Sequence, residues 1–396
     1  NSAKAGGSGY EKCIDMCSDG TGNLYTTGYI AGNGTICNFD GYMLSGTGVS
    51  SMFITKYNTS LTAQWATKAG GYTANGNVRG TCVAVNNSGE AVVAGPFLYG
   101  ADFIIQQFTA IGNTDMFFAK YNANGTLNAA YQFYGTTAGS RINPFDMQID
   151  GSGFYSICGT FNVNALLGST TLTSAGLDDI FITRINTVGN VQWAASAGST
   201  GDDRAYGLCL DNLSNAYLTG SIDGNVTFGA STAVGHTGTP DLVVAKYSVL
   251  TNNWQWAISG GGPFGYEIGN DIAAAGSSAL VVAGQGDAAF ALGSNNVLNA
   301  GFNDGFFTSV SLIAGIASND LNDQQLVYPN PASAIINISA FNGKTDGTVK
   351  VYSPMGQLVF EGNGSTKIEI GQWPAAIYTV EINFGSQLSR QRFIKL

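Results

Sequence analysis
Histidine, proline and charge are scarce in this sequence, and each shortage removes a class of chemistry. Its 396 residues hold one His, eight Pro and only 11% Asp, Glu, Lys and Arg. The single His236 lies among Gly, Thr and Pro, with no motif supplying the partners that a triad or a metal site needs. Six Cys, at 13, 17, 37, 82, 158 and 209, contain no C-x-x-C pair, which excludes the usual zinc spacings. Cys17 and Cys209 fall at equivalent places in a repeat and read as small core residues; a disulfide involving Cys37 stays open. Few prolines leave backbone donors free for sheet ladders. No apolar run approaches the roughly 18 residues of a membrane helix, so no membrane span is expected. Basic residues are short as well. Residues 1–312 carry 10 Lys and Arg against 20 Asp and Glu, a balance that repels nucleic acid and anionic lipid. Residues 326–396 reverse it, with 6 basic against 4 acidic side chains. The numbered sequence also opens without a signal peptide. Asn1-Ser-Ala-Lys-Ala-Gly-Gly7 reads as the middle of a repeat, so residues upstream of Asn1 are expected.

Glycine is abundant instead, at 55 residues, roughly twice ordinary usage. Much of it belongs to an internal repeat. Asp179-Ile-Phe-Ile-Thr-Arg184 recurs as copies beginning at Ser51, Asp115, Asp241 and Asp304, with start-to-start spacings of 64, 64, 62 and 63 residues. A second marker keeps nearly the same period: a glycine ending a short apolar strand, at Gly28, Gly95, Gly159, Gly220 and Gly284. Each repeat reads as four strands, a to d. In the first these fall near residues 13–18, 23–28, 52–58 and 64–70, with a looser segment between b and c. Gly- and Asn-bearing turns join a to b, and Val, Ile, Phe, Tyr and Thr fill b and c, as sheets covered on both faces require.

Five four-stranded units predict a five-bladed β-propeller over residues 1–312. The last repeat has no strand d after residue 312, whereas Ala3-Lys4-Ala5-Gly6-Gly7 matches Thr67-Lys-Ala-Gly-Gly71. Ala3, Lys4, Ala5, Gly6 and Gly7 are therefore expected to form the outer strand of the last blade and fasten the ring. Residues 313–325 read as a polar linker. In residues 326–396 the period is lost, and alternating segments at 335–340, 348–352, 358–361, 367–370, 377–383 and 388–395 predict a small Ig-like β-sandwich.

Two resemblances cover most of the chain. Residues 1–312 resemble the bacterial β-propeller repeat family of secreted surface proteins, whose pattern is nearly complete over residues 167–220; the second repeat differs in having Tyr131 where Trp is usual. The tail resembles the type A C-terminal sorting domain of cargo of the Bacteroidetes type IX secretion system. The matching residues are Tyr328, Pro329, Asn330 and Pro331, then Val351 and Tyr352 with Gly356, Gln357, Leu358 and Val359, then Tyr378 and the basic end at Lys395. Ala376 stands where the family usually has Gly. The resemblance implies export and recognition by an outer-membrane translocon and its shuttle barrel, in some members followed by a sortase. Pro329 and Pro331 also stiffen the entrance of the domain, since each fixes its own φ and restricts the residue before it.

Catalytic patterns are weak. Gly260-Gly-Gly-Pro-Phe-Gly265 fits a dinucleotide fingerprint, but a strand follows it and Pro263 sits inside. Asp178-Asp179 and Asp202-Asp203 could serve a glycosidase or hold calcium, yet Asp179 belongs to a repeated position and reads as a hairpin cap or an inter-blade hydrogen bond. No cofactor is expected; calcium on turn acids such as Asp19, Asp150 and Asp211 is the alternative left open. Trp65, Trp193 and Trp256 share one repeat position and read as blade packing. The expected function is a non-enzymatic, secreted or surface interaction module for adhesion or gliding-type attachment. It would bind a glycan or protein through the b–c segments at 30–50, 98–114, 160–178, 222–240 and 286–304. A surface polysaccharide-degrading enzyme and a passive envelope component are the alternatives.

Overall fold
The structure is a computed structural model. It describes residues 3–311 and 327–396, apart from 4, 263, 277–278, 294, 299–300, 302, 329–331, 339–346, 354–356, 364–366 and 385–386. The described chain is all strand and turn, and it divides into two compact units, Asn1–Val310 and Ser311–Leu396. The expected linker, 313–325, lies outside the described residues.

In the first unit four repeats fold as an antiparallel a-b-c-d meander. The third repeat shows it whole: Arg141–Ile149, Tyr155–Asn162, Asp179–Ile185 and Val191–Ala197 pair in that order. The fourth repeats it with Arg204–Leu210, Ala216–Ile222, Asp241–Ser248 and Asn253–Gly260. The first (Tyr10–Ser18, Leu24–Ala31, Ser50–Tyr57, Ala63–Gly70) and the second (Cys82–Val85, Ala91–Leu98, Asp115–Tyr121, Leu127–Phe133) do likewise, and short pairings join those two into one 11-stranded sheet. In the fifth, three strands pair among the described residues, Glu267–Ala275, Ala279–Gly286 and Asp304–Ser311.

The recurring glycine of strand b has a steric cause. Strand a carries a bulge opposite it, between Cys13 and Asp15, Pro144 and Asp146, Ala205 and Gly207, and Gly269 and Asp271. The bulge pushes a strand-a carbonyl toward strand b. A Cβ at Gly28 would lie 1.9 Å from the Lys12 oxygen, and one at Gly220 1.8 Å from that of Arg204. Only hydrogen fits there.

Three expectations need correction. The b–c segments are not loose: each folds a small hairpin, such as Ile36–Phe39 with Tyr42–Ser45, or Gly100–Asp102 with Gln107–Thr109. These hairpins reach back to the preceding repeat, where Asp102 pairs with Gly70 and Leu166 with Tyr134. The N-terminal segment does not complete the last sheet in this structure. Ala5–Gly7 pairs with Ile36–Phe39, and no pairing to Asp304–Ser311 occurs among the described residues; Ala3 lies outside any strand and Lys4 outside the described residues. The free edge of the first hairpin supplies its hydrogen bonds instead. Finally, Tyr131 is not at the Trp position. Ala129 opposes Lys120 as Trp65 opposes Lys56, and Tyr131 lies two residues further on. Its ring still packs on Gly189 and its hydroxyl donates to the Val188 carbonyl at 2.6 Å, much as the Trp65 ring covers Gly125 and its indole donates to the Ala123 carbonyl at 3.0 Å. A different register places an aromatic against the next repeat's turn.

The second unit stacks two sheets. Val327–Tyr328, Ile335–Ile338 and Lys367–Glu369 form one; Leu358–Asn363, Thr348–Tyr352, Ala376–Phe384 and Gln387–Lys395 form the other. Alternation along the strands puts Ile336, Ile338, Val349, Val351, Ile368, Tyr378, Val380, Ile382 and Phe393 into a common core.

Candidate functional site
The sorting residues picked from sequence separate into two sets. Val351 is buried at the centre of its sheet, opposite Phe360 and Val380. Tyr378 is buried too, its ring stacked 5.6 Å from Phe393 and tilted against Trp373 at 5.1 Å, its hydroxyl donating to the Pro374 carbonyl at 3.0 Å. Lys395 is also buried, and its ammonium donates to the Leu396 carbonyl. These three hold the domain together. Tyr352 is half-buried, Leu358 and Val359 are exposed, and Gln357 closes the intervening turn by accepting from the Ser353 amide at 2.8 Å. Tyr328 enters the smaller sheet opposite Asn337. Pro329, Asn330, Pro331 and Gly356 lie outside the described residues.

The sequence reading missed two members of the exposed set. Ile377 and Ile394 pair directly across their strands and are both exposed, on the face opposite Tyr378 and Phe393. Tyr352 is opposite Thr379 on the adjoining strand. Tyr352, Ile377 and Ile394 thus form an apolar strip on the outer face of the four-stranded sheet, with Leu358 and Val359 on its flanking edge strand. Period-two alternation across residues 376–384 could have shown it, because an apolar residue between buried apolar neighbours must face away.

In the first unit the acids are engaged locally. Asp115 accepts from the Ile111 amide at 2.7 Å and from that of Gly112 at 3.1 Å, and Asp179 accepts from Ala175 at 2.7 Å. Asp241 accepts from the His236 amide and faces its imidazole at 3.2 Å. Each caps the turn entering strand c. Asp178 is paired with Arg141 at 3.2 Å and Arg204 at 3.4 Å, and Asp203 accepts from Asp223 at 2.9 Å. Asp19, Asp150 and Asp211 fold the a–b turns by accepting amides two and four residues ahead. Against the rise that burial alone would cause, hydrogen bonds from Asn23 and Thr21 hold Asp19 at about 2. Among the described residues no group of three or more His, Cys, Asp or Glu is placed to hold a metal ion.

A different set of acids lies in the strand-a bulges. Asp15 accepts from the Val83 amide of the second repeat at 2.7 Å, and Asp146 from the Leu208 amide of the fourth at 2.7 Å. Both tie neighbouring repeats together. Burial, with the charges of Asp15 and Asp271 adding to it, pushes Asp146 up to about 7. All six cysteines are free; Cys37, Cys82, Cys158 and Cys209 are buried. Burial raises the Cys17 thiol to about 12, so it is inert at neutral pH.

The hairpin tips differ from this quiet frame. Ile104 and Ile105 are 79% and 69% exposed. Ile104 also has φ of 73°, a backbone region that costs a β-branched residue of order 1–3 kcal/mol. Met43, Ile111, Leu177, Val234 and Leu298 are further exposed apolar residues of the b–c segments.

Residues 326–396 match the family model of the secretion system C-terminal sorting domain. The tail is a C-terminal type IX sorting domain. It marks the chain for export by type IX secretion, as a secreted or cell-surface protein. No curated protein matches the chain. Among solved structures it is similar to a protein of unknown function from Bacteroides caccae, at 8% identity over 69% of this chain and 70% of that one, with a TM-score of 0.35. It is also similar to two extracellular domains from B. thetaiotaomicron. One comes from a one-component system (9% identity, all of this chain, 57% of that one, TM-score 0.32). The other comes from a hybrid two-component system (10% identity, 97% of this chain, 55% of that one, TM-score 0.28). The chain thus spans little more than half the length of those two.

Proposed function
We propose that residues 1–312 are a five-bladed β-propeller acting as a surface interaction module, joined through 313–325 to the sorting domain at 326–396. The observation that carries this reading is the contrast between frame and hairpins. Strands a to d bury their repeated side chains, whereas the b–c hairpins present apolar residues, led by Ile104 and Ile105, that no part of the frame requires. Such a rim suits attachment to a surface glycan or protein, in adhesion or gliding, and the module has no catalysis of its own. The recurring acids support that, because each is occupied as a turn cap or an ion-pair partner. The sorting domain engages the translocon and its shuttle barrel through the exposed strip, and a sortase acts after export where one is present.

The full chain carrying I104D and I105D should lose binding to glycan arrays or surface-protein extracts that retain the parent chain. Equal retention by the variant would refute a role for this rim, and robust polysaccharide turnover by the parent would refute the binding-module reading. Deletion of residues 326–396 should abolish surface labelling; continued surface display would refute the sorting role.

A further inference from the structure
The glycine-rich segment 260–265 joins the fourth repeat to the fifth and wraps two carboxyl groups. A Cβ on Gly261 would lie 1.7 Å from Asp241 Oδ1 and 2.9 Å from Glu267 Oε2, so both oxygens converge on one point. A Cβ on Gly265 would lie 2.1 Å from Glu267 Oε1. Bare backbone at both positions leaves the carboxyls room. Glu267 is fully buried, yet neither of its carboxyl oxygens has a hydrogen-bond partner. Burial pushes this carboxyl up to about 7; the Gly262 amide opposes the rise from beyond hydrogen-bond geometry, and the charges of Asp241 and Asp287 add to it. The Asp241 carboxyl is 1% exposed. Its Oδ2 accepts from the His236 amide, while Oδ1 faces the His236 ring at 3.3 Å and the Glu267 carboxyl. Among the described residues neither acid is paired with Lys or Arg. Two acids buried together in this way are costly unless a cation or a proton neutralises them.

The preceding junction shows that the position does not demand such an arrangement. Asp203, the counterpart of Glu267, accepts from the Ser199 amide at 2.5 Å and from the Asp223 amide at 2.9 Å. There the loop that starts at Gly198 is one residue shorter, and the acid one methylene shorter. In the fifth repeat the amide matching that of Asp223, on Asp287, donates to the Tyr266 carbonyl at 3.3 Å instead. Glu267 thus carries its carboxyl past the amides that hold Asp203 and toward Asp241. Asp19, Asp150 and Asp211 differ as well, since their own turns occupy them.

We propose that Asp241 and Glu267 bind a calcium ion at the junction of the fourth and fifth repeats. Two carboxylates fall short of a self-contained set of side-chain ligands, so main-chain oxygens of 260–265 and water complete the shell, as the 6–8 oxygen ligands of calcium allow. Carboxylate and carbonyl oxygens select a hard cation, and a glycine loop suits calcium's flexible geometry better than the strict octahedron of magnesium. His236 orients Asp241 from the solvent side. The ion ties strand c of the fourth repeat to strand a of the fifth and fixes the end of the b–c segment 222–240. The proposal is independent of what the hairpin rim binds.

Thermal unfolding of the full chain, at about pH 7.5 in EDTA and in about 10 mM calcium chloride, tests it. For a site with a Kd of roughly 0.1–1 mM, calcium is expected to raise the Tm by roughly 3–8 °C, and magnesium chloride by less. Glu267→Gln should abolish the calcium shift while its Tm in EDTA equals or exceeds the parent's, because it removes a buried charge and keeps the packing. Gly265→Ala, which keeps the charge and fills the cradle, should abolish the shift too, whereas Asp203→Asn should retain it. No shift for the parent would overturn the proposal and leave the two carboxyls sharing a proton. An equal shift in Glu267→Gln would place calcium elsewhere, and an equal shift in magnesium would refute the calcium assignment; either result overturns it.

Discussion

The repeat unit and the sorting unit spend their most recognisable residues differently. In the repeats, the residues that recur (Asp179, Gly159, Trp193) build the frame, while the hairpins between strands b and c vary from copy to copy. In the sorting unit the motif itself is divided. Val351, Tyr378 and Lys395 are core, while Tyr352, Leu358 and Val359 reach solvent. A motif residue therefore means packing in one unit and, in the other, either packing or exposure according to its place in the strand alternation.

The largest test of this difference is Tyr378→Ala. Losing a buried aromatic that stacks on Phe393 and packs against Trp373 should cost about 3–5 kcal/mol of the second unit's stability, measured by denaturant unfolding. If export fails while stability holds, Tyr378 is a recognition residue after all. Ile182→Ala should cost about 2–5 kcal/mol in the first unit, since its site lies between two repeats and cannot collapse freely. A cost below 1 kcal/mol would mean that neighbouring repeats are not packed as a continuous core.

The bulge acids sharpen the comparison through pH. Asp146 titrates near 7 when folded, mainly because it is buried, against about 4 when unfolded. Burial likewise raises Glu267 to about 7 and Asp179 to about 6. A carboxyl with a raised folded pKa favours the folded state fully below its unfolded value, and that contribution is lost as pH rises through the folded one. The first unit should therefore lose stability between about pH 4 and 7, by an amount on the order of a few kcal/mol. D146N, which keeps an acceptor for the Leu208 amide, should flatten the profile. An unchanged slope would place the titration elsewhere.

The smallest effects concern turns and surface. Strand b is followed by a positive φ at Gly32, Tyr99, Val163 and Gly224, so two repeats hold side chains where two others have glycine. Val163→Gly should be neutral or stabilising by up to about 1 kcal/mol, because relief of strain offsets the added chain entropy. Val359→Asp should leave unfolding within about 0.5 kcal/mol of the parent yet impair surface delivery. Unimpaired delivery would move the recognition surface off that edge strand.

Strands a to d and the tail strands could be read directly because each declares itself locally: alternation marks a strand, and Gly or Asn at the turn marks its end. The 358–361 segment extends to Asn363 in the structure, and 388–395 begins at Gln387, differences of one or two residues. The b–c hairpins escaped because their strands are three or four residues long, too short for a period to stand out. Tyr131 misled in another way: the family pattern suggested the Trp position, while the ladder places Ala129 there. Ile377 and Ile394 could not be told from core residues by type, only by which face their neighbours bury.

The sequence by itself determined the period, the strand order within each repeat, the position of the tail and its sorting family, because these depend on residues adjacent in the chain. Tertiary structure decided which motif residues are core and which neighbour each bulge acid holds. Burial is a property of what packs against a residue from elsewhere, and five nearly equal copies read alike until their neighbours are in place.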